Sequence, residues 1–147
     1  MNKMPLYLGS DHAGFRLKNQ IREYLKDKNY RVVDIGVFEE VSSDYPDIAR
    51  EVAEKVAENS GSFGILICGT GIGMCMVANK VKGIRAANCE SETCTQMARQ
   101  HNDANILCLG GRIVDFEKTK ILVDIFLTEK FEGGERHERR VKKIEVP

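Results

Sequence analysis

The sequence of 147 residues predicts one α/β domain with a doubly wound, five-stranded parallel sheet in the order 2-1-3-4-5 and helices on both faces. Three observations carry this reading. Short apolar runs alternate with longer amphipathic stretches along the whole chain. Glycines close several of those runs, at Gly36, Gly69 and Gly110. One apolar run passes through Cys68 into Gly69-Thr70-Gly71-Ile72-Gly73, the strand–turn–helix passage by which such sheets present backbone N–H groups.

The elements follow in order. Pro5 to Ser10 is an apolar strand, followed by Asp11-His12-Ala13-Gly14. Leu17, Ile21, Tyr24, Leu25 and Lys28 recur at helical spacing, and Asn29 stops that helix. Arg31 to Ile35 is the second strand; a polar loop runs from Glu39 to Asp44. Pro46 suits the first turn of the next helix, with Asp44 or Tyr45 near its cap and Ile48, Ala49, Val52, Ala53 and Val56 on its buried face. Gly64 to Ile67 is the third strand, with a helix from Met74 to Val81 after the glycine turn. Ile84 to Cys89 is the fourth strand. Ser91 opens a helix that places Cys94, Met97, Ala98 and His101 on one face. Asn105 to Leu109 is the fifth strand, closed by Gly110-Gly111-Arg112, and Asp115 caps a long helix to about Lys130. Its stretch from Ile121 to Leu127 is apolar around most of the circumference, which points to a subunit interface. Residues 131–147 form a basic tail to a single domain spanning 1–147.

Composition limits the function. Lys plus Arg and Asp plus Glu are balanced at 22 each, so no global field attracts nucleic acid or a membrane surface. There is no leader-like segment and no apolar run long enough to span a bilayer, which gives the expectation of a soluble cytoplasmic protein. Five cysteines without a CxxC pair fit reduced thiols.

In a 2-1-3 sheet the ligand crevice lies between strands one and three, beyond their carboxyl ends. Asp11 and His12 follow strand one; Cys68 and its glycines follow strand three. The turn is not a dinucleotide GxGxxG or a phosphate loop, because no lysine follows. A cysteine phosphatase would need an arginine at position 74, where Met74 stands. The turn therefore offers N–H donors without a cation, which suits an oxyanion that develops during reaction or a ligand neutralised from elsewhere. Cys68 is a nucleophile or proton-transfer base on this reading, or a small core residue; Cys75, Cys89, Cys94 and Cys108 read as packing. Asp11 handles a proton or caps a helix. His12 could meet a phosphate, and Arg136 and Arg140 would share a helix face as a fork for one. Histidines at 12, 101 and 137 show no metal-ligand spacing. His101 and Asn102 end the fourth helix, which runs back to the amino edge. They can act at Cys68 only from a neighbouring subunit.

Motifs along the whole chain carry a resemblance. They are SDHAGF from Ser10, DYP from Asp44, ICGTGIG from Ile67, ANK from Ala78, GIRAA from Gly83, RQHNDAN from Arg99, LGGR from Leu109 and FEGGERHERRV from Phe131. In order and spacing the chain resembles the type B ribose-5-phosphate isomerases, grouped with the galactose-6-phosphate isomerase subunits. The resemblance implies a Rossmann-like homodimer or homotetramer with active sites shared between subunits, acting without metal or cofactor in the pentose phosphate pathway. It implies Cys68 as the base between C1 and C2, and the N–H groups of Gly69, Gly71, Ile72 and Gly73 as the enediolate hole. Thr70, Asp11 and His101, with Asn102 beside them, match ring opening and hydroxyl proton movement. His12, Arg112, Arg136 and Arg140 match phosphate contacts, and Asp44 and Tyr45 a loop lining the sugar. Some relatives use an acid just after the turn; here Met74-Cys75-Met76 leaves Cys68 unopposed. The galactose enzymes divide these residues between unlike subunits, whereas this chain holds them together. Two alternatives remain at this level: a hexose 6-phosphate isomerase for allose or galactose phosphates, and a phosphate-binding module without chemistry.

Overall fold

The structure, a computed structural model, describes residues 3–146. Met1, Asn2 and Pro147 of the expected domain and tail lie outside the described residues. Strands β1 (Leu6–Ser10), β2 (Val32–Gly36), β3 (Phe63–Cys68), β4 (Ala86–Asn88) and β5 (Ile106–Gly110) pair in parallel throughout. Helices α1 (Phe15–Asp27), α2 (Tyr45–Glu58), α3 (Ile72–Ala78), α4 (Glu92–Gln100) and α5 (Phe116–Thr128) alternate with them, and α6 (Gly134–Glu145) follows. Among the described residues no helix is long and apolar enough to cross a membrane.

The sheet order is β2-β1-β3-β5-β4, which corrects the expected 2-1-3-4-5. Burial supplies the reason. All five residues of β5, Ile-Leu-Cys-Leu-Gly, are buried, so this strand belongs inside the sheet. β4 is three half-buried residues, Ala-Ala-Asn, and such a short strand suits an edge. The inner face of α4 agrees. Moving from β4 back to β5 reverses the direction of travel, and a right-handed crossover then lies on the opposite face from α3. Accordingly Ala98 of α4 packs with α1 and α5, while Met74 and Ala78 of α3 pack with α2.

Two cores result, one on each face. Leu17, Ile21 and Leu25 of α1 and Leu122, Val123 and Phe126 of α5 cover Leu8, Ile65, Ile67, Leu107 and Leu109. Ala49, Val52, Ala53 and Val56 of α2 join α3 over Leu66, Cys68, Ile106 and Cys108. The strand alternation thus sends Ile65 and Ile67 to one side and Leu66 and Cys68 to the other.

Some details differ from the sequence reading. The helix after the glycine turn begins at Ile72 and ends at Ala78, because the turn itself closes into it. The buried residues of α4 are Thr95, Ala98 and Arg99, while Cys94 is exposed rather than packed. Arg99 takes the inner place by laying its guanidinium 4.7 Å over the Phe63 ring and donating to the Ala104 carbonyl at 2.7 Å. The basic tail holds a regular helix with no buried residue, α6, tied back by an Arg85–Glu145 ion pair. On α5, Ile121 remains exposed beside the buried face.

One buried charge cluster fixes the approach to the site. Lys18 of α1 is fully buried and donates to Asp34 at 2.9 Å and to the Val37 carbonyl at 2.6 Å. Arg22 donates to the other Asp34 oxygen at 2.8 Å, and Asp34 accepts the Gly36 N–H at 2.9 Å. Burial lowers the Lys18 pKa, and hydrogen bonds from Lys18 and Arg22 outweigh burial at Asp34 to hold its carboxyl below the usual range. The cluster pins the end of β2, where the loop towards Asp44 begins.

Candidate active site

β3 is flanked by two strands whose following helices take the other face of the sheet. The chain therefore parts on both sides of Cys68, towards Asp11 at the end of β1 and towards Arg112 after β5. The corrected strand order matters here. It pairs Cys68 with Gly110, and the Gly111 N–H donates to the Cys68 carbonyl at 2.7 Å. The Arg112 N–H donates to the Gly69 carbonyl at 3.0 Å. In the expected order β4 would have stood between them.

Cys68 is 5% exposed, and its Sγ accepts the Gly71 N–H at 3.1 Å. Gly71 holds φ +83°, the left-handed region that glycine enters without strain. A Cβ there would stand 2.7 Å from Asn88 Oδ1 and 2.9 Å from the Leu109 backbone, so shape and torsion both demand glycine. Thr70 Oγ1 accepts the Ile72 N–H at 3.3 Å. The Arg112 guanidinium lies over Gly69, its nitrogen 3.3 Å from where a Cβ would stand. The Tyr45 ring covers Gly73, 2.5 Å from the corresponding point. Asp44 is the exposed N-cap residue of α2, at the base of that tyrosine.

On the β1 side, Asp11 is buried, and one carboxylate oxygen accepts the Ala13 and Gly14 N–H groups at 3.0 and 3.1 Å. Asp11 thus orders the turn into α1 as well as facing the crevice. His12 Nδ1 accepts the Ser43 N–H at 3.2 Å, which places the proton of the neutral ring on Nε2. Ser43 was not singled out in the sequence; in a polar loop its backbone role leaves no signal. Asp11, His12, Asp44, Tyr45, Cys68 to Gly73 and Arg112 therefore gather at the carboxyl edge of one chain.

His101, Asn102, Arg136 and Arg140 do not join them. His101 caps the end of α4 at the amino edge, its N–H donating to Met97 at 2.9 Å. The His137 ring of α6 stacks on it at 4.5 Å with planes 6° apart, and Glu132 Oε2 stands 3.7 Å from its Nε2. Partial burial, then the charges of His101 and Arg136, lower the His137 pKa. Arg136 and Arg140 are exposed on the same helix. The sequence spacing concealed this cluster, since His101, Glu132 and His137 meet only because the chain after α5 returns past the end of α4.

The remaining thiols differ among themselves. Burial pushes Cys89 up to about 11 and Cys108 well above the ordinary value. Cys75 is half-buried; the Cys108 thiol, helped by the Asn88 N–H and the Asn79 amide, outweighs burial and holds it at about 7. Cys75 packs against the core of the α2–α3 face, as the sequence suggests.

Comparison with known proteins is consistent across three measures. The family model described as Ribose/Galactose Isomerase matches residues 6–144. The ribose-5-phosphate isomerase B of Escherichia coli is 45% identical over 136 residues, covering 92% of this chain and 91% of its own. The Mycoplasma genitalium ribose-5-phosphate isomerase B, solved with bound ribulose-5-phosphate, superposes with a TM-score of 0.95 at 49% identity, covering 99% of this chain and 96% of its own. The Thermotoga maritima ribose 5-phosphate isomerase gives 0.93 at 46% identity over 98% and 99% of the two chains. With a match from the first strand to the last helix, the chain belongs to the ribose/galactose isomerase family.

Proposed function

We propose that this protein interconverts D-ribose 5-phosphate and D-ribulose 5-phosphate through a cis-enediolate. The observation that carries the reading is the Cys68 thiol held against the Gly71 N–H at the meeting of β1, β3 and β5. Cys68 as thiolate removes the C2 proton of the open-chain aldose and returns it to C1. A thiolate is a weak base for such a carbon acid, so the enediolate must be strongly stabilised. The N–H groups of Gly69, Gly71, Ile72 and Gly73 fill that role, those of Gly71 and Ile72 being shared with Cys68 Sγ and Thr70 Oγ1; one preorganised donor is worth roughly 10²–10³-fold in rate. His101, supplied by a neighbouring subunit, opens the sugar ring with Asp11 and Thr70, and Asn102 holds a hydroxyl. His12 and Arg112 from one subunit and Arg136 and Arg140 from the other hold the phosphate, remote from the chemistry, where binding orients the sugar. Asp44 and Tyr45 wall the sugar.

The assignment makes the chain one catalytic domain that works as a homodimer or homotetramer, with the apolar side of α5 within the interface and residues 131–147 reaching the neighbour's site. It acts in the cytoplasm, in the pentose phosphate pathway, without a cofactor. A hexose phosphate is the second reading, because the matched family also covers galactose isomerases. The deciding assay follows ribose 5-phosphate and allose 6-phosphate turnover in parallel with chelator present. Turnover of the pentose is expected to dominate; turnover of the hexose alone, or of neither, overturns the assignment.

A further inference from the structure

Three side chains from separate segments meet beyond the amino edge of the sheet. His101 ends α4, Glu132 lies in the segment before α6, and His137 lies on α6. Their ligating atoms all fall within 4.8 Å of one another. The Glu132 N–H donates to the Gln100 carbonyl at 3.0 Å, which holds the carboxylate-bearing segment against the end of α4. Two imidazoles and one carboxylate form a mixed nitrogen–oxygen donor set. Zinc takes such a set in four-coordinate sites that keep a place for water, whereas calcium and magnesium favour oxygen donors alone. The two rings lie parallel, so their in-plane lone pairs point along separate planes. One ring must turn to share an ion. His137 is free to do so, because it stands on a helix with no buried residue.

We propose that His101, Glu132 and His137 form a site for a zinc-class divalent ion, and that the bound ion inhibits the enzyme by occupying the His101 imidazole. The inhibitory half rests on the proposed function, in which His101 handles a hydroxyl proton; the binding half does not. Coordination at about 2.0–2.2 Å draws the three donor atoms inward and ties the start of α6 to the end of α4. No new covalent bond or redox step is involved.

The test titrates the intact oligomer with Co²⁺, read by its visible d–d absorption, and then with Zn²⁺ as the displacing ion. The expected spectrum is that of four-coordinate cobalt without a thiolate charge-transfer band. Glu132→Gln and His137→Gln should each weaken the site by at least the roughly 10–100-fold that loss of a group hydrogen-bonded to a metal ligand costs. Circular dichroism confirms that both variants fold. Zn²⁺ should also suppress ribose 5-phosphate turnover in the wild type, reversibly with chelator, and half-inhibition of Glu132→Gln, read against that variant's own zinc-free turnover, should need at least roughly 10-fold more Zn²⁺. Unchanged affinity in both variants places the ion elsewhere, and a thiolate band places it on the cysteines; either outcome overturns the site. Binding without inhibition overturns the inhibitory half. A chain inactive on ribose 5-phosphate even with chelator present overturns that half together with the functional reading, and the cobalt spectra still decide the site.

Discussion

The carboxyl-edge cluster around Cys68 and the amino-edge cluster around His101 are built in opposite ways. The first is made of backbone. Cys68 is buried in a sheet strand, the glycine turn is fixed by packing at Gly71, Gly73 and Gly110, and Asp11 and His12 are locked to neighbouring N–H groups. The second is made of side chains on an outward surface: Arg136 and Arg140 stand exposed on α6, and His101 is half-exposed at a helix end. A rigid hole suits charge that develops on one atom during reaction, where small displacements are costly. Flexible cations suit a phosphate, which tolerates approach from several directions. The contrast also bears on the shared site proposed above. The direction of α4 separates His101 from Cys68 by the depth of the sheet, so under that proposal each cluster serves a different copy.

The sharpest way to break the comparison is to remove one side at a time. Cys68→Ala should lower kcat by on the order of 10²-fold or more with substrate binding largely kept. His101→Ala should be similarly impaired on the cyclic sugar. Mixed oligomers of the two inactive variants should regain part of the activity, because some sites then draw an intact Cys68 and an intact His101 from different chains. Failure to recover activity in oligomers verified as mixed would defeat the shared-site reading.

A smaller effect comes from the rigid side. Gly71→Ala should cost at least about 1–2 kcal/mol in stability from the left-handed backbone alone. It should also lower kcat, since the added methyl meets Asn88 and the Leu109 backbone and displaces the N–H that faces Sγ. A melting temperature and kcat equal to wild type would show that the turn is not preorganised.

Smaller again is the flexible side. Arg140→Gln should raise KM roughly 10-fold, in keeping with loss of one charge-assisted hydrogen bond, while kcat holds. A fall in kcat with KM unchanged would move Arg140 from phosphate binding to chemistry. The smallest effect concerns Cys75. Its thiolate accumulates as pH rises through about 7, so its alkylation should accelerate across that range, ahead of Cys89, whose midpoint lies near 11. Peptide mapping of iodoacetamide-treated protein over a pH series reads both. Alkylation of Cys75 that begins only with Cys89 would remove the role assigned to the Cys108 and Asn79 contacts.

Much of this was legible in the linear chain because it is local. Alternating apolar runs marked the five strands, and Cys68 with its glycines marked the turn, since a left-handed cap and a close packing contact both require glycine. The direction of the fourth helix alone placed His101 at the far edge. Other features were not local. The exposure of Cys94 depends on Arg99 taking the inner face, a choice made by the Phe63 ring and the Ala104 carbonyl. Ser43 supports His12 through a backbone N–H, which any residue there but proline would offer.

The amino-acid sequence by itself thus determined the α/β class, the crevice between β1 and β3 and the chemical types placed there, because periodicity and glycine requirements act within a few residues. Only the tertiary structure decided that β5 sits beside β3, since strand order depends on which run can be buried on both sides and on the handedness of the crossovers. That decision put Arg112 over the glycine turn. The return of the chain past the end of α4 likewise decided that Glu132 and His137 meet His101, because contact between distant segments is set by the path of the backbone.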